Sequence, residues 1–289
     1  MRNLEDRLDK LLDEVEGQSQ VAIEAPSGWG YRRNADKMAS AASTIKLLLL
    51  AEVYGQSGCG ELDLDQHLDV TGAAGLTAGS GVLSRLHHVD ELSVYDLAVL
   101  MIIVSDNAAT NVLLENVGFG ALDRLARDLG LSNTRFRRRM LDSEAAKRGE
   151  DNVTSAADMV VLLRFIRNFR RSSFADEGKP VDQVEEADPA PMIDILCNQQ
   201  LNSKLPGRLP FEYVDSAYAH KTGELPGIEH DVGILETANG PVYVALMLTE
   251  LPDNHAGKSV ISEIGKLLSE AFRAEGSERG SAAVQSRLG

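Results

Sequence analysis

Residues 38–53 read Met38-Ala39-Ser40-Ala41-Ala42-Ser43-Thr44-Ile45-Lys46-Leu47-Leu48-Leu49-Leu50-Ala51-Glu52-Val53. A run of small residues leads to Ser43, and a leucine-rich stretch without Pro or Gly follows Lys46. That composition predicts a buried helix. Residues three apart share a helix face, which brings the Lys46 amine within reach of the Ser43 hydroxyl. A serine in the first turn feels the positive end of the helix dipole, which favours developing negative charge on its oxygen. A buried lysine loses proton affinity, and its amine can then accept the serine proton. Ser43 is thus a candidate nucleophile that needs no histidine. The Ser-x-x-Lys spacing alone is weak evidence, because a helix cap followed by a solvated lysine shares it.

The surrounding chain bounds what such a serine can serve. At 289 residues it can bury a sizeable core as one domain or two interleaved lobes. Hydrophobic residues make up 43% and charged residues 25%, ordinary for a globular protein. The net charge of −15 excludes a nucleic-acid surface and disfavours an anionic membrane, since both need a basic face. Two distant cysteines, Cys59 and Cys197, and six scattered histidines have no metal-ligand spacing, so neither a metal nor any cofactor is implied. Residues 1–16 place Leu4, Leu8, Leu11, Leu12 and Val15 on one face of a charged helix, unlike a signal peptide. No run is long enough to span a bilayer, so with Met1 as the natural start a cytoplasmic protein is expected; a trimmed start would allow export.

Along the chain, residues 19–24 and 29–33 read as two strands around the Pro26-Ser27-Gly28 turn. Residues 71–81 are a glycine-rich loop, either plain surface or substrate-lining. A helix begins at Glu91, with Ser93 as its cap, and runs to Val104; helical periodicity resumes over 108–116 and 121–129. Residues 135–151 are charged and irregular. Thr154 or Ser155 caps a helix over 158–167, and 192–202 is helical again. Between them, 170–191 reads as a solvated, disordered insertion without chemistry. Three strands, 217–221, 230–236 and 242–248, are joined by 223–229 and 237–241 and lead to a long helix over 258–274. The two ends are expected to close one antiparallel sheet, giving an α/β (α+β) domain over residues 1–289. Its sheet lobe spans about 1–42 and 212–275, its helical lobe about 43–211, and its frayed tail 276–289. A site between the lobes follows.

Three polar motifs stand in order: Ser43-x-x-Lys46, Ser105-Asp106-Asn107 and Lys221-Thr222-Gly223. Each polar triplet has a chance frequency on the order of 10⁻⁴ per position, so the ordered set is specific. With it the chain resembles the class A β-lactamase and penicillin-recognising serine hydrolase family, from about residue 21 to 272. The likeness extends to Thr154-Ser155-Ala156-Ala157-Asp158-Met159. It implies a sheet lobe built from both chain ends with an inserted all-helical lobe, the β-lactamase/transpeptidase-like arrangement. It implies Ser43 as the acylated nucleophile, Lys46 as its proton acceptor or relay, and Ser105 as the group that passes a proton to the leaving group. Asn107 would hold the substrate amide, Lys221 and Thr222 a substrate carboxylate, and Gly223 would let substrate approach a strand edge. Backbone N–H groups of Ser43 and Glu224 would form the oxyanion hole. The partner implied is a small amide or ester such as a β-lactam.

One departure bears on turnover. The family's β-lactamases carry a glutamate, followed by Leu-Asn, in the loop after a Thr-Arg pair. Here Thr134-Arg135 leads to Phe136-Arg137-Arg138-Arg139-Met140, and Met140 falls where that glutamate should be. Asp142 and Glu144 are substitute bases or surface charges, and His230 reaches the cleft or is a satisfied strand histidine. Without a base for water, acyl-serine forms and breaks slowly. The expectation is therefore β-lactamase-type amide hydrolysis with slow deacylation. The alternatives are an esterase or peptidase on another substrate, and a penicillin-binding sensor that acylates without turnover.

Overall fold

The computed structural model describes residues 1–72, 79–169, 191–210 and 218–273. In chain order its elements are α1 (Arg2–Asp13), β1 (Gln18–Glu24), β2 (Gly30–Arg33), β3 (Ala39–Ser40), a 3-10 turn (Ala42–Ile45) and α2 (Lys46–Cys59). Then come β4 (His67–Asp69), β5 (Glu91–Ser93), α3 (Val94–Ile103), α4 (Asn107–Val117), α5 (Phe119–Asp128), α6 (Ser143–Lys147), β6 (Val153–Thr154) and α7 (Ala156–Asn168). The chain closes with α8 (Pro191–Cys197), β7 (Tyr218–Leu225), β8 (Ile228–Thr237), β9 (Gly240–Thr249) and α9 (Asn254–Arg273).

The five-stranded sheet runs β2-β1-β9-β8-β7, so strands from the two ends of the chain pair at its centre. Every pairing in it is antiparallel. The sheet is buried on both faces, which is why residues 242–248 read as an unbroken apolar run. Alternation still sorts them: Val242, Val244, Leu246 and Leu248 join Leu8 and Leu12 of α1 and Ile261, Ile264 and Leu268 of α9. Tyr243, Ala245 and Met247 face the helices inserted between the strands, with α2 and α7 in the same cluster. From α2, Leu47, Leu48, Leu49 and Leu50 are all fully buried. A helical turn buried on every side, as Leu47 to Ala51 are, must sit at the centre of its lobe.

The structure corrects several sequence readings. Ser43 lies in the 3-10 turn, and α2 proper begins at Lys46. Glu91–Ser93 is a short strand paired with β4, and the helix starts after its cap, Ser93, whose hydroxyl accepts the Asp96 N–H. Residues 223–229 are not a connection: β7 runs through Leu225 and β8 starts at Ile228, leaving only Pro226 and Gly227 as the turn, with Gly227 at φ +73°. Proline and glycine supply the two dihedrals that such a turn needs. Helical structure after Pro191 stops at Cys197, short of Asn202. The insertion over 170–190, the strand start at Ala217 and the tail from 274 onward lie outside the described residues, as does 73–78 of the glycine-rich loop. Among the described residues no helix is long and apolar enough to cross a membrane.

Leu49→Ala opens a cavity at the centre of α2 and is expected to cost about 2–5 kcal/mol in urea denaturation.

Candidate active site

The three motifs converge on one cleft of about 780 Å³, whose lining includes Ser43, Ser80, Ser105, Asn202, Thr222 and Glu224. Ser43 is half-buried there, on the turn ahead of α2. The turn is strained, with Ala42 at φ +44°. Strand β7 passes directly over it. A Cβ on Gly223 would stand 3.1 Å from Thr44 Cγ2 and 3.2 Å from Ala42 Cβ, so only glycine allows this approach without displacement.

Ser105 occupies the break between α3 and α4 in the left-handed region, at φ +55°. Asp106 holds the break in place. One of its carboxylate oxygens accepts the Ala108 and Ala109 N–H groups at 2.9 and 3.0 Å, capping α4. The other accepts the Val82 and Leu83 N–H groups at 2.6 and 2.7 Å. The strained backbone aims the Ser105 hydroxyl at two lysines. Lys46 Nζ lies 3.1 Å from Ser105 Oγ and Lys221 Nζ lies 3.0 Å from it. Lys46 also donates to Ser105 O at 2.7 Å and Asn107 Oδ1 at 2.9 Å, and Lys221 to Thr222 O at 2.9 Å. Lys46 therefore spends its hydrogen bonds across 59 residues on Ser105, and not on Ser43 three residues away.

Both lysines are fully buried. Burial holds the Lys46 ammonium well below its ordinary range, Lys221 adds repulsion, and Asp106 pulls the other way. Burial and the Lys204 charge bring Lys221 down to about 7, against the pull of Asp231. Burial thus favours the neutral amine at Lys46. Its two N–H groups match the acceptor-only atoms Ser105 O and Asn107 Oδ1, which leaves its lone pair for a hydroxyl proton. Lys221, when charged, donates to the same hydroxyl.

Other residues support the site that the motifs did not reveal. Lys204 Nζ donates to Gly223 O at 2.8 Å and His230 O at 3.1 Å, tying β7 to β8 from beneath. His220 Nδ1 lies 2.9 Å from Asp231 Oδ1, and its Nε2 lies 3.0 Å from Asn202 Oδ1 on the cleft wall. Asp231 also accepts the Leu205 N–H at 2.9 Å. These ties join segment 199–205 to the sheet, and no local motif signals them.

The three candidate bases fall elsewhere. Asp142 caps α6 by accepting the Ala145 N–H at 2.9 Å. Glu144 is an exposed partner of Lys147 at 2.7 Å. His230 is fully buried, donates from Nε2 to Ser40 O at 2.9 Å, and burial pushes its pKa down to about 4. None of the three lines the cleft described above. Met140 is buried, and Asn111 grips its backbone: Met140 N–H donates to Asn111 Oδ1 at 2.8 Å, and Asn111 Nδ2 to Met140 O at 3.3 Å. Among the described residues no group of His, Cys, Asp and Glu side chains is placed to hold a metal.

The family model described as "Beta-lactamase enzyme family" matches residues 3–272. The chain belongs to the beta-lactamase enzyme family. Within that family, the beta-lactamase from Sphaerobacter thermophilus DSM 20745 superposes with a TM-score of 0.77 at 28% identity, covering 93% of this chain and 97% of that one. The ancestral (GNCA) class A beta-lactamase superposes at 0.76 with 26% identity, over 93% of this chain and 100% of that one. A structure of PBP-A shares the fold at 22% identity and a TM-score of 0.77, over 94% and 96% of the two chains. A relative of different description is the "Beta-lactamase regulatory protein BlaB" of Streptomyces cacaoi, 24% identical over 80% of this chain and 85% of its own. The beta-lactamase-like architecture expected from the sequence is therefore the one observed.

Asp106→Ala strips the acceptor from four backbone N–H groups at once. It is expected to cost about 2–4 kcal/mol in urea denaturation, against about 1 kcal/mol for Asp142→Ala, which uncaps only α6.

Proposed function

We propose that this chain is a serine acyl-transfer hydrolase of the β-lactamase type, acylated at Ser43 by an amide or ester and slow to release the acyl group. The observation that carries the reading is the Ser105 hydroxyl held between two buried lysines at the edge of the cleft that contains Ser43. In this reading the neutral Lys46 amine takes the Ser43 proton as Oγ attacks the carbonyl carbon. The Ser105 hydroxyl passes a proton from Lys46 to the leaving nitrogen or oxygen as the scissile bond breaks. Charged Lys221 polarises that hydroxyl and, with Thr222, offers hydrogen bonds to the substrate. Asn107 orients the substrate amide. Backbone N–H groups of Ser43 and Glu224 stabilise the tetrahedral oxyanion, and Gly223 keeps the strand edge close enough for them to do so.

Slow release is supported by the residues that occupy the expected place of a water-activating carboxylate. Met140 is apolar, Asp142 is spent on a helix cap, and Glu144 is spent on a surface pair. A family member lacking that base acylates and then stalls, which is the behaviour of a penicillin-binding sensor. The relative described as a beta-lactamase regulatory protein fits the same reading.

Intact-mass spectrometry during exposure to a penicillin, a cephalosporin and an activated ester tests it. The expected result is one persistent adduct per chain, located on Ser43 and absent in Ser43→Ala. Met140→Glu should shorten its lifetime by about a hundredfold, the scale of a positioned general base. Steady turnover by Ser43→Ala would refute the mechanism, and a wild-type adduct that clears within seconds would refute slow release.

A further inference from the structure

The cleft wall formed by β7, the start of α9 and segment 199–205 carries two lysines and two glutamates in one linked group. Lys204 is 1% exposed, and its Nζ is occupied by Gly223 O, His230 O and Glu229. Two of its three N–H donors are thus hydrogen-bonded, and its charge is matched by the Glu229 carboxylate. Glu229 is fully buried; its Oε1 accepts Asn254 Nδ2 at 2.8 Å and stands 3.5 Å from Lys258 Nζ. Lys258 donates to Glu224 Oε1 at 2.9 Å. Two positive charges thus meet two negative ones, and Lys258, 27% exposed, is held by both carboxylates.

Glu224 is the most exposed of the four and lines the cleft together with Lys204 and Lys258. Its side chain is 55% exposed, and only one oxygen is hydrogen-bonded. The other, Oε2, stands 4.0 Å from Lys204 Nζ, beyond hydrogen-bonding distance, with acceptor capacity to spare. Its backbone follows Gly223, the residue that packs on the Ser43 turn, so the carboxylate is one residue beyond the point of closest approach to the nucleophile. The rim beside it is apolar: Leu201 and Leu225, 39% and 37% exposed, line the same cleft. The chain's net charge of −15 adds a field that concentrates cations and thins out anions near such a site.

We propose that Glu224 is a specificity-determining residue whose carboxylate receives a cationic nitrogen of the substrate. The preferred acyl donor is then an amide or ester with an ammonium group at the cleft wall and an apolar group against Leu201 and Leu225, and a carboxylate there is disfavoured. This rests on acylation at Ser43 as read above. A partly exposed ion pair is a modest effect. Attraction of one charge state and repulsion of the other together amount to about tenfold at low ionic strength, shrinking toward unity in 1 M salt.

The test uses three chromogenic aryl esters with one acyl skeleton, bearing a free amine, its acetamide or its succinamide, together with a penicillin. Acylation constants are measured at low and high salt, with the adduct located by mass. The wild-type protein should favour the amine over the succinamide by about tenfold, and Glu224→Gln should bring that ratio close to one. Lys258→Met, which frees the bonded oxygen of Glu224, should keep or raise the ratio. A role confined to folding would slow all three esters alike and leave the ratio unchanged. Equal ratios in wild type and Glu224→Gln would overturn the inference, as would a wild-type preference for the succinamide or for the penicillin over every ester. A ratio that collapses in Lys258→Met as well would also overturn it. No adduct with any of the four compounds would overturn acylation at Ser43 itself.

Discussion

Two lysine amines share one hydroxyl. Lys46 and Lys221 each place Nζ about 3 Å from Ser105 Oγ, and both are shut off from water. Two ammonium ions so close in a medium of low dielectric repel strongly, and neither has solvent to offset its charge. The arrangement is stable only if at least one of them is neutral. Asp106 favours charge on Lys46 and Asp231 favours it on Lys221, but desolvation dominates at both. The result is an ordered chain of donors, Lys221 to Ser105 to Lys46, that ends on a lone pair.

Much of the fold serves to hold that chain. The left-handed Ser105 persists because Asp106 ties the flanking backbone to α4 and to residues 82–83. The Ser43 turn can lie beneath β7 because position 223 has no side chain. Strand β7 is in turn fixed from behind by Lys204 and by the His220–Asp231 pair, each buried and multiply bonded. Buried charges of this kind stabilise little by themselves, and their presence beneath a cleft points to positioning.

The sequence made the architecture legible wherever the signal was local or periodic. The unbroken apolar run 242–248, the leucine-rich run after Lys46 and the caps at Ser93 and Ser155 each announce their element. The three motifs are compact enough to be read from neighbouring residues. What escaped is long-range. Lys46 is legible as a neighbour of Ser43, but its hydrogen-bond partners Ser105 and Asn107 are not, because they meet it only where the break between two helices leaves a carbonyl that needs a donor. Lys204, Asn202 and the His220–Asp231 pair have no motif, since their roles come from the packing of segment 199–205 against the sheet. The end of β7 was missed because Pro226-Gly227 makes so short a turn that the strands run almost to it.

The most direct test of the shared hydroxyl is the pH dependence of single-turnover acylation of Ser43. Lys46 must be neutral and Lys221 charged for the donor chain to run. The rate constant should therefore fall as pH rises through about 7, where Lys221 loses its proton. Lys221→Arg, permanently charged, should remove the falling limb. A rate that climbs without a break to pH 10, as ordinary lysines would dictate, would contradict the central claim.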